Sequence, residues 1–361
     1  MPAELTIVVP TYNESDNIER LVNELTIALK GVNWELIIVD DNSPDGTSPL
    51  ARSMAQKNAH VRCIQRLGRR GLSSACIEGF LASASPYIAV MDADGQHDEQ
   101  LLKQMLQGLK NGDADLINGS RYIAEGSTGQ LPPIRVKISK AASAVAHRIL
   151  NITVSDPMSG FFMFKRASLE PTFEKLSGQG FKILLDMLVT AADSIKVSEL
   201  PYTMRARAYG ESKLDSLVVL EFFSLIIDKL TGRQIPLRFF MFTAVGLTGV
   251  VVHMATLNFF FNTQQEAFWL SQAAATIVAM TTNFLLNNSL TFRDRRLRGK
   301  KLFSGLLSFY IACSLGAAIN IEIAASLYEY NVPWAIAGIS GAAIGAVWNY
   351  AMTTNFTWKK K

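Results

Sequence analysis

Four apolar stretches, at about residues 237–261, 268–292, 303–327 and 334–354, restrict this chain more than any other feature of it. Each is about 20–25 residues long, the length an α-helix needs to cross the hydrocarbon of a bilayer. The connections between them orient the set. RDRRLRGKK (293–301) and the tail WKKK are basic, whereas the turns NTQQEA and YEYNVP carry no Lys or Arg. The positive-inside rule puts 293–301 and the C-terminus in the cytoplasm. An even number of spans keeps everything before residue 237 on that same side. The chain is therefore expected to be an integral membrane protein with its N-terminal domain and C-terminus cytoplasmic. Its basic excess, 35 Lys and Arg against 31 Asp and Glu, lies wholly in the apolar half. That pattern is a membrane-orientation signal and argues against a nucleic-acid footprint. The spans also read as a duplicated helical hairpin: NFLLNNSLTFR (283–293) aligns with NYAMTTNFTWK (349–359), and FTAVGLTGVVVH (242–253) more weakly with FYIACSLGAAIN (309–320).

The N-terminal part has a different grammar. LTIVVP, WELIIVDD, HVRCIQRL, PYIAVMDAD and ADLINGSRY read as strands, separated by helical periods such as DNIERLVNELTIAL and DEQLLKQMLQGLKNG. Strands alternating with helices of this length predict βαβ units and a mainly parallel sheet. MPAELTIVVP lacks a basic leader and reads as the first strand, not a signal peptide. Cys63, Cys76 and Cys313 are too scattered for a disulfide framework or a metal cluster, which fits a reducing compartment. Two further segments, 134–152 and 213–230, are apolar helices with polar stripes, expected to lie in the membrane interface, with plain core helices as the alternative.

Ligands of a parallel sheet bind at the carboxyl ends of its strands. Pro10, Tyr12, Glu14, Asp40, Asp41, Asp92, Asp94 and Arg121 all fall at such ends, which argues for one shared site. Within DADGQH, Asp92 and Asp94 offer hard oxygen donors one residue apart, and Gln96 adds an amide oxygen. That set suits Mg2+ or Mn2+ bound together with a nucleotide diphosphate, because such ions take few carboxylates and fill the rest with water and phosphate. Asp98 is expected to cap the helix starting at residue 99. His97 reads as a supporting or surface group, not a base. The carboxylates are too close together for a glycosidase pair, and no P-loop or nucleophile-elbow motif is present.

VVPTYNE, VVDDNSPDGT, DADGQH, GSRY, DPMSGFF and RAYGESKL, in this order, resemble an inverting glycosyltransferase of family 2 with the GT-A fold. The likeness is to polyprenyl-phosphate glycosyltransferases of the dolichyl-phosphate mannose synthase type and covers about residues 1–230. The apolar half resembles a GtrA-like four-helix transmembrane domain. The resemblance implies a GT-A, Rossmann-like α/β domain over 1–212, an interface helix and linker over 213–236, and the membrane domain over 237–361. It further implies that Pro10, Tyr12, Glu14, Val39 and Asp41 line the nucleoside pocket. Asp92, Ala93, Asp94 and Gln96 would hold the metal and the donor diphosphate, and Arg207 and Lys213 would close over that diphosphate. Arg121, Arg135 and Ser139 would grip the acceptor phosphate. Tyr12 as plain packing, Lys213 as a surface charge and Ser139 as a structural hydroxyl are the alternatives.

The implied reaction moves mannose from GDP-mannose to a polyprenyl (dolichyl or undecaprenyl) phosphate. The acceptor is already anionic and needs no general base, in keeping with the lack of an obvious catalytic His or Glu beside the metal motif. A UDP-sugar such as UDP-glucose is the alternative donor. Polar residues within the spans (His253, Asn283, Asn287, Asn320, Glu322) keep open a different class, a glycolipid transporter with a nucleotide-sensing domain. Packing contacts between helices explain them more simply.

Overall fold

The computed structural model describes residues 2–129, 131–150, 152–178, 180, 182–206, 225–226, 229, 237–264, 268–292, 295–330, 332, 344 and 346–359. The chain divides into two compact units, residues 1–230 and 231–361. Arg207, Lys213, nearly all of the expected helix over 213–230 and most of the fourth expected span lie outside the described residues.

The first unit is built on a seven-stranded sheet in the order β3-β2-β1-β4-β6-β5-β7. Its strands are β1 (Leu5–Thr11), β2 (Trp34–Asp40), β3 (Val61–Gln65), β4 (Tyr87–Val90), β5 (Leu116–Ser120), β6 (Phe162–Lys165) and β7 (Val197–Pro201). β1, β2, β3 and β4 run parallel, as do β5 and β7. β6 is antiparallel to both β4 and β5. The alternating pattern anticipated β1 to β5 but neither β7 nor β6, whose short apolar run FMFK sits between a loop and a helix. Residues inside β1 and β2 are almost entirely buried, as a strand covered on both faces requires.

Helices α1 (Ser15–Ala28), α2 (Thr47–Lys57), α3 (Leu72–Ala82) and α4 (Leu101–Asn111) cross between the parallel strands. α3 approaches β1 closely because Gly79 has no side chain: a Cβ there would lie 2.3 Å from Val8 Cγ1. α5 (Pro133–Leu150), the short α6 (Arg166–Leu169) and α7 (Ile183–Ala191) follow β5 and β6. α5 exposes Ile134 (64%), Ile138 (40%) and Ile149 (45%), whereas Ala146 is buried with Met158, Leu185, Leu225 and Ile226. At 100° per residue the three isoleucines fall on one side, a geometry suited to a lipid interface.

The second unit contains α8 (Leu237–Asn258), α9 (Phe268–Leu286) and α10 (Lys300–Glu329). Among the described residues one helix, Arg238–Phe261, passes the length and hydropathy test for crossing a membrane, with a mean hydropathy of 1.7. The expected duplication has a structural counterpart. Five-residue π-helical turns occur at Asn287–Thr291 and Thr353–Thr357, 66 residues apart. The residues that follow them, Phe292 and Trp358, stack on each other with centroids 4.3 Å apart. Asn283 packs on Gly249 and, at the equivalent position, Asn349 packs on Gly316. Two hairpins of like sequence thus reproduce the same helix termini and the same Asn-on-Gly contact. Asn283 and Asn287 make contacts within this bundle, Asn287 Nδ2 donating to the Asn283 carbonyl at 3.0 Å.

Candidate active site

The register brings the strand ends together. Pro10 lies opposite Val39 and Thr11 opposite Asp40, while Val8 lies opposite Val90, two residues before Asp92. The carboxyl ends of β1, β2 and β4 therefore open onto one edge of the sheet, with β5 two strands beyond β4 and β7 three.

At the β1–β2 end the carboxylates are already engaged. Asp40 accepts from the Ser43 backbone N–H at 3.0 Å and from the Ser48 hydroxyl, which shapes the turn that follows. Asp41 Oδ1 pairs with Arg66 Nη1 at 2.5 Å, and its Oδ2 accepts the Gly71 N–H at 2.7 Å. Burial pushes the Asp41 carboxyl up, against the pull of Gly71 and Arg66. Arg66 is itself 1% exposed and also donates to Glu78 and Ser74. The sequence reading missed Arg66, which lies 25 residues from Asp41 in an unremarkable stretch. Val39 is fully buried in the core, so only its backbone can face a nucleoside. Tyr12 carries the Arg70 guanidinium 4.5 Å above its ring. Glu14 Oε2 accepts from Asn17 Nδ2 at 2.8 Å. Pro10, Tyr12 and Glu14 are partly exposed at this edge.

The DADGQH turn is held from both sides. Gly95 adopts φ +74, and a Cβ there would collide with Arg20 Nη2 at 1.3 Å, so the tight turn requires glycine. Asp94 Oδ1 accepts the Gln96 N–H at 3.0 Å. Gln96 Nε2 donates to the Arg205 carbonyl at 3.2 Å, and Arg205 clamps Asp98 and Glu99 at 2.7 Å each. Asp98 Oδ1 accepts the Gln100 N–H at 3.2 Å, but α4 begins at Leu101, two residues later than expected, because Asp98 closes a turn ahead of the helix. Ala93 is buried and contributes only backbone to the site.

His97 is not a surface group. It is 2% exposed and stacks on Phe161 at 5.0 Å. Its Nδ1 accepts the Asp92 N–H at 3.1 Å, which puts the proton on Nε2, 3.9 Å from Asp92 Oδ2. Burial lowers its pKa to about 4, so the ring is neutral and serves to set the Asp92 backbone. The donor set fits a divalent ion. The Asp92 side chain is 39% exposed, and a Cβ at Gly160 would sit 3.3 Å from its Oδ2, so glycine leaves that oxygen uncrowded. Among the described residues no three His, Cys, Asp or Glu side chains form a metal cage. Two carboxylates and an amide therefore suit an ion whose remaining positions go to water and phosphate.

At the β5 end the structure supplies a residue that sequence reasoning had quoted in DPMSGFF without assigning. Asp156, fully buried, takes Arg121 Nε at 2.7 Å and Nη2 at 2.8 Å, and also the Arg121 N–H at 3.2 Å. Glu199 of β7 in turn accepts the Ser155 and Asp156 N–H groups. Burial opposes the Arg121 charge, but the Asp156 hydrogen bonds and the electrostatic pull of Asp156, Tyr202 and Tyr122 together outweigh it and raise its pKa. Arg121 is thus a fixed cation, not a mobile clamp; its Nη1 donates to the Met204 sulfur at 3.8 Å, and its guanidinium carbon lies 5.4 Å from the Tyr122 ring centroid. Lys182, at the start of α7, was also missed. Burial lowers its pKa to about 8, and the charges of Arg121, Asp156 and Asp92 act on it. Ser139 lies on α5, half-buried, and Arg135 occupies a position in the same helix, its side chain outside the described residues.

Comparison with known proteins finds matches to both halves of the chain. Residues 6–173 match glycosyl transferase family 2, and residues 241–358 match the GtrA/DPMS transmembrane domain. A dolichol-phosphate mannosyltransferase of Pyrococcus furiosus is 34% identical over 357 residues, spanning 98% of this chain and 99% of that protein. One from Saccharomyces cerevisiae is 36% identical over 231 residues, 62% of this chain and 85% of that protein. Among solved structures, glucosyl-3-phosphoglycerate synthase from Mycobacterium tuberculosis superposes with a TM-score of 0.48 at 18% identity, over 63% of this chain and 80% of that one.

Proposed function

The chain belongs to the polyprenyl-phosphate glycosyltransferases of family 2, of the dolichol-phosphate mannosyltransferase type with a GtrA/DPMS membrane domain, and from that membership we propose that it transfers mannose from GDP-mannose to a polyprenyl phosphate with inversion at the anomeric carbon. It is a membrane-bound glycosyltransferase. The observation that carries the reading is the pairing, at one edge of the sheet, of a two-carboxylate turn (Asp92 partly exposed, Asp94 buried) with a cation fixed by a buried carboxylate (Arg121 on Asp156).

The two ends divide the work. On the donor side Pro10, Tyr12, Glu14, Asp41 and the Val39 backbone bound the nucleoside. Asp92, Asp94 and Gln96 would hold Mg2+ or Mn2+, which when bound would offset charge on the departing diphosphate. Arg207 and Lys213 are assigned to the same diphosphate. On the acceptor side Arg121 presents Nη1 to the lipid phosphate, with Arg135 and Ser139 following on α5. A phosphate oxygen attacks the anomeric carbon as the nucleoside diphosphate leaves. No proton has to be removed from the nucleophile, and the one imidazole next to the carboxylates, His97, is neutral and buried. Fixed cations orient one anion toward another without reorganising in the transition state. The exposed isoleucines of α5 keep the lipid tail in the bilayer, and the basic 293–301 connection keeps the catalytic unit cytoplasmic.

Asp94→Ala is the direct test. It should abolish mannose transfer while the unfolding temperature of the catalytic unit stays within a few degrees of the parent. Substantial retained transfer would remove the carboxylate turn from the mechanism.

A further inference from the structure

A cavity of about 490 Å3 lies between α5 and the loop that follows β5, with Arg121, Tyr122, Lys140, Ser143 and His147 among its walls. Three features set it apart from a packing void. Its lining contains no Asp or Glu, so its charged groups among the described residues are cations. Ser143 is 5% exposed, yet among the described residues its Oγ has no hydrogen-bond partner, and the buried Tyr122 hydroxyl has none either. A buried hydroxyl left without a partner is unfavourable, so a pair of them in one cavity points to a polar occupant. The Lys140 ammonium lies 5.7 Å from the Tyr122 ring centroid, and no carboxylate neutralises it in the walls.

Helical geometry relates the cavity to the bilayer. Val136, Lys140, Ser143 and His147 repeat on one side of α5, and Ile134, Ile138 and Ile149 fall on the opposite, exposed side. Position 139 falls between the two faces and its side chain is not in the cavity wall. His147 is turned to its own backbone: its Nε2–H donates to the Val154 carbonyl at 2.8 Å, which anchors α5 to the loop before Asp156. One helix therefore separates an apolar outer face from a cationic, hydroxyl-lined chamber that reaches Arg121.

We propose that this chamber receives the phosphate monoester of the lipid acceptor, with the Lys140 ammonium as its counter-charge and the Ser143 and Tyr122 hydroxyls as its donors. The assignment rests on the acceptor reading above and extends it to residues beyond Arg121, Arg135 and Ser139. The chamber is larger than one phosphate group, which leaves room for the hexose the phosphate acquires. The ligand chemistry it reads is a phosphate, whether on a prenyl chain or free.

The test uses the full chain in detergent, with Lys140→Gln, Lys140→Arg and Ser143→Ala. Lys140→Gln should raise the KM for polyprenyl phosphate at least tenfold and leave the KM for the nucleotide sugar unchanged. Lys140→Arg should restore most of the loss, and Ser143→Ala should raise the acceptor KM several-fold without lowering thermal stability. A second readout is independent of turnover: farnesyl phosphate should raise the unfolding temperature of the parent and not of Lys140→Gln. Inorganic phosphate in place of farnesyl phosphate should give a weaker, Lys140-dependent shift; a shift of equal size would assign the chamber to free phosphate and overturn the lipid assignment. An acceptor KM within twofold of the parent in Lys140→Gln, or an equal rise in donor KM, would also overturn it. A parent chain stabilised by farnesyl phosphate through Lys140 but unable to glycosylate polyprenyl phosphate would refute the function and leave the site standing.

Discussion

Asp156→Asn tests the claim that Arg121 is a fixed cation. Asp156 is fully buried, and the Arg121 side chain is 11% exposed. The carboxylate accepts three hydrogen bonds from Arg121, two from the guanidinium and one from the backbone. An asparagine keeps one oxygen but turns an NH2 group toward a guanidinium that has only donors, and it removes the counter-charge. Breaking a buried pair from one side costs about 3–5 kcal/mol, because the remaining charge stays out of water. In a unit of 230 residues each kcal/mol lowers the unfolding temperature by roughly 2–4 °C. The catalytic unit of Asp156→Asn should therefore unfold roughly 6–20 °C below the parent, measured by scanning calorimetry of the full chain in detergent. The double variant Arg121→Met with Asp156→Leu should lose less than the sum of the single losses, since it leaves no stranded charge. A loss below about 1 kcal/mol in Asp156→Asn would show that the pair is not a buried, mutually dependent unit.

Two further outcomes follow from the same site. His97 has a folded pKa of about 4 against an ordinary 6.5, so the unfolded chain takes up a proton first as the pH falls. The stability this group contributes is fully present above pH 6.5 and is lost between about pH 6.5 and 4, by about 2 kcal/mol from pH 7 to 5. In metal-free, donor-free protein, His97→Phe should flatten that part of the pH–stability curve; an unchanged slope would assign the loss elsewhere. Gly160→Ala places a Cβ 3.3 Å from Asp92 Oδ2. It should raise the metal concentration needed for half-maximal nucleotide binding several-fold, and an unchanged titration by calorimetry would dissociate Asp92 from the ion.

The sequence was most legible where chemistry and periodicity coincide. Asp41, Asp92, Asp94 and Arg121 stand out because acids and an arginine terminate apolar runs, and the structure carries all four to the sheet's carboxyl edge. The hairpin duplication was legible because Phe292 and Trp358 occupy matching positions, and they meet as a stacked pair. What could not be read was partnership. Asp156 pairs with Arg121 across 35 residues only because β6 inserts antiparallel between β4 and β5, and four residues of FMFK carry no signal of that. The same holds for Arg66 beneath Asp41 and for Lys182, whose significance comes from what surrounds them after folding. The chamber beside α5 was half-legible. The polar stripe of the helix was visible, but the unpartnered Ser143 and Tyr122 hydroxyls exist only once the β5 loop lies against it.

The central claim is that a base-free site on this membrane-bound chain couples a nucleotide-activated mannose to a lipid phosphate. The most direct measurement is transfer by the purified full chain in detergent, with a divalent ion, radiolabelled GDP-mannose or UDP-glucose, and either polyprenyl phosphate or the matching polyprenol. The account predicts labelled polyprenyl-phosphate mannose from GDP-mannose and the phosphate alone. Comparable transfer from UDP-glucose would contradict the donor assignment, and transfer to the uncharged polyprenol would contradict the mechanism.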